Sequence, residues 1–263
     1  MTGTTGILSK STLGRLYRKY NRRRYVHPDP LEFLYDYPEV ADREIVGLIA
    51  ASLAYGRVAQ ILKSVNSVLS SMGPKPCSFL SEHKPCDIHR MFSGFRHRFT
   101  SGPDLSTLLI GMRSAVRRHG SLNTCFLAGF DAASDTVLPA LSSFAKELDC
   151  DNTQLLPSST GVGACKKLNL FLRWMIREDA VDPGGWTGVP SSKLIIPLDT
   201  HMVDIGRRLG LTHRRSANMK MALEITEAFR RIAPADPVRY DFALTRFGIR
   251  SELTISELVS ELR

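Results

Sequence analysis

The pattern of apolar and polar positions predicts a protein made almost entirely of helices and loops. Apolar residues recur at helical spacing over residues 42–72, which predicts one long amphipathic helix that the run Gly73-Pro74-Lys75-Pro76 ends. Residues 181–190 form the longest predicted loop, which is either a surface excursion or a lid over a pocket. Shorter helices are predicted at residues 104–119, 121–130, 133–149, 165–177, 200–209, 217–232 and 237–247.

Two glycines precede the helix predicted at residues 165–177. Gly161 and Gly163 can take positive φ, so a tight turn there would present backbone N–H groups to a phosphate at a helix N-terminus. Apolar residues form one stripe along that helix: Leu168, Phe171, Leu172, Met175 and Ile176. Lys167 lies beside this apolar stripe, whereas Lys166 lies on a more polar face. Burial lowers a lysine pKa and leaves a nucleophilic amine. Lys167 is therefore the preferred nucleophile, and Lys166 is the expected phosphate contact.

A carboxylate follows 32 positions after Lys167. Asp199 stands between the apolar run 195–198 and the helix predicted at residues 200–209. It could stabilise positive charge on a deoxyribose as the base departs, and exchange protons with the amine. It could equally be an N-cap for that helix, and the two roles can coexist. His201 could bond a phosphate or have a structural role near the cap.

These motifs resemble the helix-hairpin-helix DNA glycosylase superfamily, which includes endonuclease III and the archaeal 8-oxoguanine glycosylases. The resemblance covers about the C-terminal 100 residues and rests on Gly161-Val162-Gly163 with Lys167, on Leu198-Asp199-Thr200-His201, and on residues 206–211. The lysine lies further from the glycines and the aspartate than in endonuclease III, so either Lys166 or Lys167 could be its equivalent. A closer resemblance, nearly end to end, is to a bacterial conserved-hypothetical family of unknown function, through residues 52–56, 169–175, 197–201 and 236–242.

The superfamily resemblance implies an all-α, two-lobed fold within a single globular unit, residues 1–263. Residues 46–165 would form the first lobe and residues 1–45 plus 166–263 the second, with the hairpin at about 155–177 at their junction and DNA in the cleft. Tyr55 and Arg57 would then contact DNA, and Trp174 and Gln60 would line the base pocket. Tyr55 and Trp174 are also explained by core packing. No cysteine follows Cys165, so no iron–sulphur cluster is expected, and we expect neither a cofactor nor a metal.

The function implied by the resemblance is base-excision repair. The enzyme would be a DNA glycosylase with abasic-site lyase activity that forms a lysine Schiff base, and the archaeal resemblance favours an oxidised purine such as 8-oxoguanine. Its partner would be double-stranded DNA with a damaged base or an abasic site. Two alternatives are a non-catalytic DNA- or RNA-binding protein that keeps the hairpin, and an N-glycoside hydrolase acting on nucleosides or nucleotides.

Charge and composition agree with a polyanionic partner. The formal net charge is +9 and the pI is about 9.5. The basic run at residues 15–24 is either a solvated helix face or a nucleic-acid contact. Without a long apolar run or an apolar signal core, the chain is expected to be cytoplasmic, nucleoid-associated and monomeric, with no membrane contact.

Cysteine usage indicates reduced thiols. The five cysteines are odd in number and scattered. Cys77, His83, Cys86 and His89 have a spacing that could close a zinc loop. A Pro-rich polar linker with incidental ligands is the preferred interpretation of this stretch.

Overall fold

The computed structural model describes residues 9–149, 155–156, 163–250 and 252–262, which are mostly helical. The first helices are α1 (Lys10–Tyr20), α2 (Val40–Leu53), α3 (Val58–Met72), α4 (Pro76–Glu82), α5 (Pro85–Phe92), α6 (Gly102–His119), α7 (Leu122–Leu127) and α8 (Leu138–Glu147). They are followed by α9 (Lys166–Ile176), α10 (Thr200–Arg208), α11 (Met219–Arg230), α12 (Asp241–Ile249) and α13 (Ile255–Leu262). Two short antiparallel strands, β1 (Arg96–His97) and β2 (Thr100–Ser101), form a hairpin, and 3₁₀ turns span Arg23–Tyr25, Pro30–Asp36 and Ser191–Lys193.

Helix α2 lies at the centre of the packing. It is apolar on nearly every face, as expected of a helix surrounded by others, and it contacts α9, α3, α4, α7 and the 3₁₀ turn Pro30–Asp36. Its buried acid Glu44 accepts hydrogen bonds from the backbone N–H of Leu122 (2.7 Å) and Asn123 (3.1 Å) and from Trp186 Nε1 (2.9 Å). Burial raises the pKa of Glu44 in spite of these donors. The acid therefore fixes the start of α7 and the 181–190 loop to the central helix.

Other helices pack in two groups, one around α6 and α7 and one around α12. Helix α6 contacts α5 and α7, and α7 contacts α8; separately, α12 contacts α1, α10 and α13. The all-α class predicted from the sequence is confirmed. No helix in the described ranges combines the length and apolar character needed to cross a lipid bilayer.

Two predictions for the first half of the chain were wrong. Residues 42–72 form two helices, because the chain leaves the helical path at residues 54–57, where Gly56 has a φ of +99°. The stretch from Cys77 to His89, predicted to be a polar linker, lies in α4 and α5, each of which has a proline in its first turn, where the missing N–H costs nothing. In this stretch the His83 ring stacks on Phe79, with centroids 4.1 Å apart, and its Nδ1 lies 2.9 Å from the Phe79 carbonyl oxygen.

The 181–190 loop is neither a surface excursion nor a lid. Trp186 is 5% exposed and packs edge-on against Phe171, with centroids 5.0 Å apart. Its backbone N–H donates to the Met175 carbonyl, and that of Gly184 donates to the Trp174 carbonyl. The loop is thus bonded to α9 and completes the core.

Candidate active site

The two candidate lysines occupy the first turn of α9, after a cap residue in an uncommon conformation. Cys165, the N-cap of α9, has a φ of +48°, in the left-handed region. Two residues before it, Gly163 is exposed. Gly161 and the rest of residues 157–162, part of the hairpin expected at 155–177, lie outside the described residues, so the phosphate-binding turn stays a prediction.

Lys166 reaches across to the end of α2. Its Nζ donates a 2.6 Å hydrogen bond to the carbonyl oxygen of Ala54, the C-cap residue of that helix. A lysine at the C-terminal end of a helix is favoured by the helix dipole. Lys166 therefore has a structural partner, and it also lines the cavity described below.

Lys167 has the desolvated environment expected from its place beside the apolar stripe. Its Nζ lies 4.4 Å from the centroid of the Tyr55 ring. Burial, together with the charge of Lys166, lowers the pKa of Lys167 to about 8. A substantial neutral fraction near neutral pH is what a nucleophilic amine needs. Lys167 is not among the residues that line the cavity.

Asp199 is the N-cap of α10. Its Oδ1 accepts a 2.7 Å hydrogen bond from the backbone N–H of Met202, so the capping interpretation is confirmed. The carboxylate also lines the cavity. His201 lines it too, with its ring pressed onto α12, since a Cβ built at Gly248 would lie 2.3 Å from His201 Nδ1.

One cavity of about 890 Å³ brings several candidate groups together. It lies between the end of α2, the start of α9, α10 and α12, and its size is in the range of ligand pockets. The charged residues that line it are Asp29, Lys166, Arg173, Asp199, Asp204, Arg207, Asp241 and Arg246. An amine and several carboxylates thus share one concave space.

A buried charge cluster underlies this cavity. Arg173, at 3% exposed, bonds Asp241 through Nη1 and Asp182 through Nε and Nη2. Arg177, one turn later, bonds Asp179, Asp182 and Asp236. Burial lowers the pKa of Arg173, but the carboxylates of Asp182 and Asp241 raise it by more than burial lowers it. The pKa is therefore raised overall, and this guanidinium stays charged.

Asp241 is a buried carboxylate of the cluster with one unpartnered oxygen. Its Oδ1 is buried and has no hydrogen-bond partner among the described residues. Burial raises its pKa to about 6, opposed by Arg173 and reinforced by the negative charge of Asp199. The Nε of Arg246 is likewise buried without a partner, while its Nη2 bonds Asp29 at 3.0 Å. A buried polar atom without a partner calls for an explanation, and a catalytic role and a bound water molecule are two of those available.

Of the other residues expected at the site, one lines the cavity and the rest do not. Tyr55 lines the cavity, with its hydroxyl 2.9 Å from the His97 carbonyl oxygen and 2.5 Å from Thr100 Oγ1. Arg57 is exposed at the start of α3 next to the cavity-lining Gly56. Gln60 is exposed and does not line the cavity. Trp174 is 0% exposed and belongs to the core, so its surface is not available to a flipped base.

Comparison with known sequences assigns the family. The profile described as "Protein of unknown function (DUF2400)" matches residues 29–250. The chain belongs to this family. The DUF2400 match includes every residue that lines the cavity except Pro28. No curated protein and no solved structure matches the chain.

Among the described residues of this DUF2400 protein, one group has metal-ligand spacing, and it lies apart from the cavity lining. The ligand atoms of His119, Cys125 and Glu147 lie within 4.8 Å of one another. The Glu147 carboxylate is bound by Arg118 at 3.0 Å and by His119 at 3.2 Å. Burial raises the pKa of Cys125 to about 11, which keeps the thiol protonated. Arg118, His119 and Glu147 therefore form an ion-pair cluster beside the buried, protonated thiol of Cys125.

Arg173, Asp241, Asp29 and Arg246 were not predicted as site residues. Residues 169–175 and 236–242 were singled out only as family motifs, and both contain members of the cluster. The available signal was Arg173 within the apolar run 170–176 of α9, with Arg177 four positions later at the C-cap of that helix. Such a pair needs buried anions, but the sequence does not say which of 26 acids supply them.

Proposed function

We propose that this chain is a DNA glycosylase with associated abasic-site lyase activity, arranged as a two-lobed helix-hairpin-helix protein. One observation carries the proposal: the amine of Lys166 and the carboxylates of Asp199 and Asp241 line a single cavity of about 890 Å³. A space of this size accommodates a nucleobase and its sugar. The net charge of +9 supports a DNA partner.

The chemistry follows from those groups. A neutral lysine amine attacks C1′ of the deoxynucleotide, the glycosidic C1′–N bond breaks, and the base leaves with the bonding electron pair and a proton. Opening of the C1′–O4′ bond, with the proton held by Asp199 passing to O4′, then gives a protonated imine, the Schiff base. Asp199, again a carboxylate, takes a proton from C2′ as the C3′–O bond breaks and the 3′ phosphate leaves with the bonding electron pair. Asp199 stabilises positive charge on the sugar and takes up a proton released by the amine. An oxidised purine such as 8-oxoguanine is the proposed lesion.

Two observations favour different lysines as nucleophile. Lys166 lines the cavity, whereas Lys167 has the pKa lowered to about 8. We favour Lys166, because a nucleophile has to reach the sugar, and we assign Lys167 the role of a nearby amine that can exchange protons near neutral pH. The preference for Lys166 over Lys167 reverses the expectation drawn from the apolar stripe alone.

Borohydride trapping tests the proposal, because the reductant converts a Schiff base into a stable adduct. Purified protein is incubated with duplexes carrying an abasic site, 8-oxoguanine, uracil or no lesion, beside Lys166→Gln, Lys167→Gln and Asp199→Asn. We expect a lesion-dependent adduct that Lys166→Gln abolishes and Lys167→Gln slows. An adduct that survives Lys166→Gln and is lost with Lys167→Gln would assign the nucleophile to Lys167.

A second candidate function is non-catalytic nucleic-acid binding. It is favoured by the structural partners of both groups, since Lys166 bonds the Ala54 carbonyl and Asp199 caps α10. Absence of any adduct, with salt-sensitive binding to all duplexes and to RNA, is the result that would favour this candidate.

A further inference from the structure

The β1–β2 hairpin presents an exposed aromatic side chain at its turn. Phe99 is 70% exposed, more than the exposed Val40 (37%) or Met91 (45%). Single exposed apolar residues are common, so exposure alone assigns nothing. Phe99, however, stands in a two-residue turn whose other member, Arg98, has a φ of +52°, a conformation that costs energy in a residue with a side chain.

The base of this hairpin is fixed to the molecule. His97 is fully buried, with Nδ1 2.9 Å from Ser64 Oγ on α3 and Nε2 3.1 Å from the Tyr55 carbonyl oxygen. On the other strand, Thr100 is 1% exposed and contacts the Tyr55 hydroxyl. The exposed ring is therefore carried on an anchored turn.

The hairpin also lies at the edge of the cavity. Tyr55 and Gly56 line the cavity, and a Cβ built at Gly56 would lie 2.6 Å from Arg98 Cδ. The guanidinium of Arg98 is 5.4 Å from the centroid of the Phe99 ring, and Arg57 is exposed beside Gly56. The Phe99 ring and the Arg98 guanidinium thus stand together beside Gly56, which lines the candidate site, and Arg57 follows Gly56 in the chain.

We propose that Phe99 inserts into the base stack of duplex DNA, filling the gap left when a nucleotide is turned out into the adjacent cavity. Removal of a base from the stack requires compensation for lost stacking, which an inserted apolar side chain provides. Arg98 and Arg57 bind the flanking phosphates. This inference rests on the proposed function and identifies the duplex-distorting element that the function requires.

The test separates insertion from chemistry. Four proteins are compared: wild type, Phe99→Ala, Phe99→Leu and the control Met91→Ala. The first assay measures excision of 8-oxoguanine from duplex and from single-stranded DNA. The second measures binding to a duplex that has a tetrahydrofuran site opposite 2-aminopurine. Because Phe99 is exposed, all variants should fold. We expect Phe99→Ala to lose about tenfold or more of duplex excision but little single-strand excision, with Phe99→Leu intermediate and Met91→Ala unchanged. The fluorescence change of 2-aminopurine on binding should disappear only in Phe99→Ala.

Each other outcome has a definite meaning. Wild-type excision that Phe99→Ala retains in full on duplex DNA, with an unchanged fluorescence response, would overturn the insertion while leaving the glycosylase proposal intact. A Phe99-dependent fluorescence change without excision of any base would uphold insertion and overturn the enzymatic proposal. Failure of the wild type to bind the duplex would overturn both.

Discussion

Arg173 is the residue on which the buried charge cluster depends. It bonds two carboxylates that are almost completely buried, those of Asp182 and Asp241. Removing one partner of a buried ion pair leaves an uncompensated charge in a medium that solvates it poorly, at a cost of about 3–5 kcal/mol. We expect Arg173→Met to lower the free energy of unfolding by that amount in urea titrations.

A matched surface pair provides the control for this prediction. Arg208 bonds Asp204 one turn away on α10, with both side chains largely exposed. Arg208→Met should therefore cost less than about 1 kcal/mol. If Arg173→Met and Arg208→Met lower the free energy of unfolding equally, Arg173 acts no differently from a surface charge.

The raised pKa of Asp241 predicts a pH dependence with a definite sign. Its pKa is about 6 in the folded protein and 3.8 in the reference state, so the folded chain binds more protons between these values and becomes less stable as pH rises through them. The advantage of wild type over Asp241→Asn should shrink from pH 4 to pH 7 by up to about 3 kcal/mol. Urea unfolding of both proteins at several pH values measures this difference. A difference that grows with pH would mean that Arg173 holds the Asp241 pKa below 3.8.

At the level of elements, the break between α2 and α3 places the hairpin beside the cavity. Gly56 combines a φ of +99° with a clash distance of 2.6 Å between a built Cβ and Arg98 Cδ, whereas Gly73 has a φ of +76° and open space around it. Both positions disfavour alanine, by about 1 kcal/mol or more, through backbone conformation. Only Gly56→Ala should also displace the hairpin.

The two alanine variants separate strain from displacement. We expect Gly56→Ala to destabilise the protein more than Gly73→Ala in urea titrations, and the double variant Gly56→Ala/Arg98→Ala to recover the excess. If the double variant recovers nothing, the contact between Gly56 and Arg98 does not position the hairpin.

The elements that could be predicted from the sequence are those that a local pattern marks. Helices α9 and α10 were predicted to within one residue at each end, because an apolar stripe marks each of them locally and Asp199 caps α10. The periodicity of α2 continues into α3, so the intervening turn left no gap in the pattern. The hairpin has only two residues in each strand and is held by Tyr55 and His97, contacts that no local pattern contains. For the site, Lys166 and Asp199 were recognisable from motifs, whereas the partners of Arg173 are set by tertiary packing.

For the molecule as a whole, the net charge of +9 does not say where a polyanion binds. Arg98 and Arg118 carry the same charge, but Arg98 adjoins the cavity and Arg118 is paired with Glu147 away from its lining. Each phosphate contact releases counterions and adds about 0.9 to the slope of log K against log salt concentration for duplex DNA. If DNA binds over the cavity, Arg98→Gln should reduce the slope by about 1 and Arg118→Gln should leave it unchanged. Fluorescence anisotropy across a salt series measures both slopes, and equal reductions would show that binding follows total charge and not the cavity.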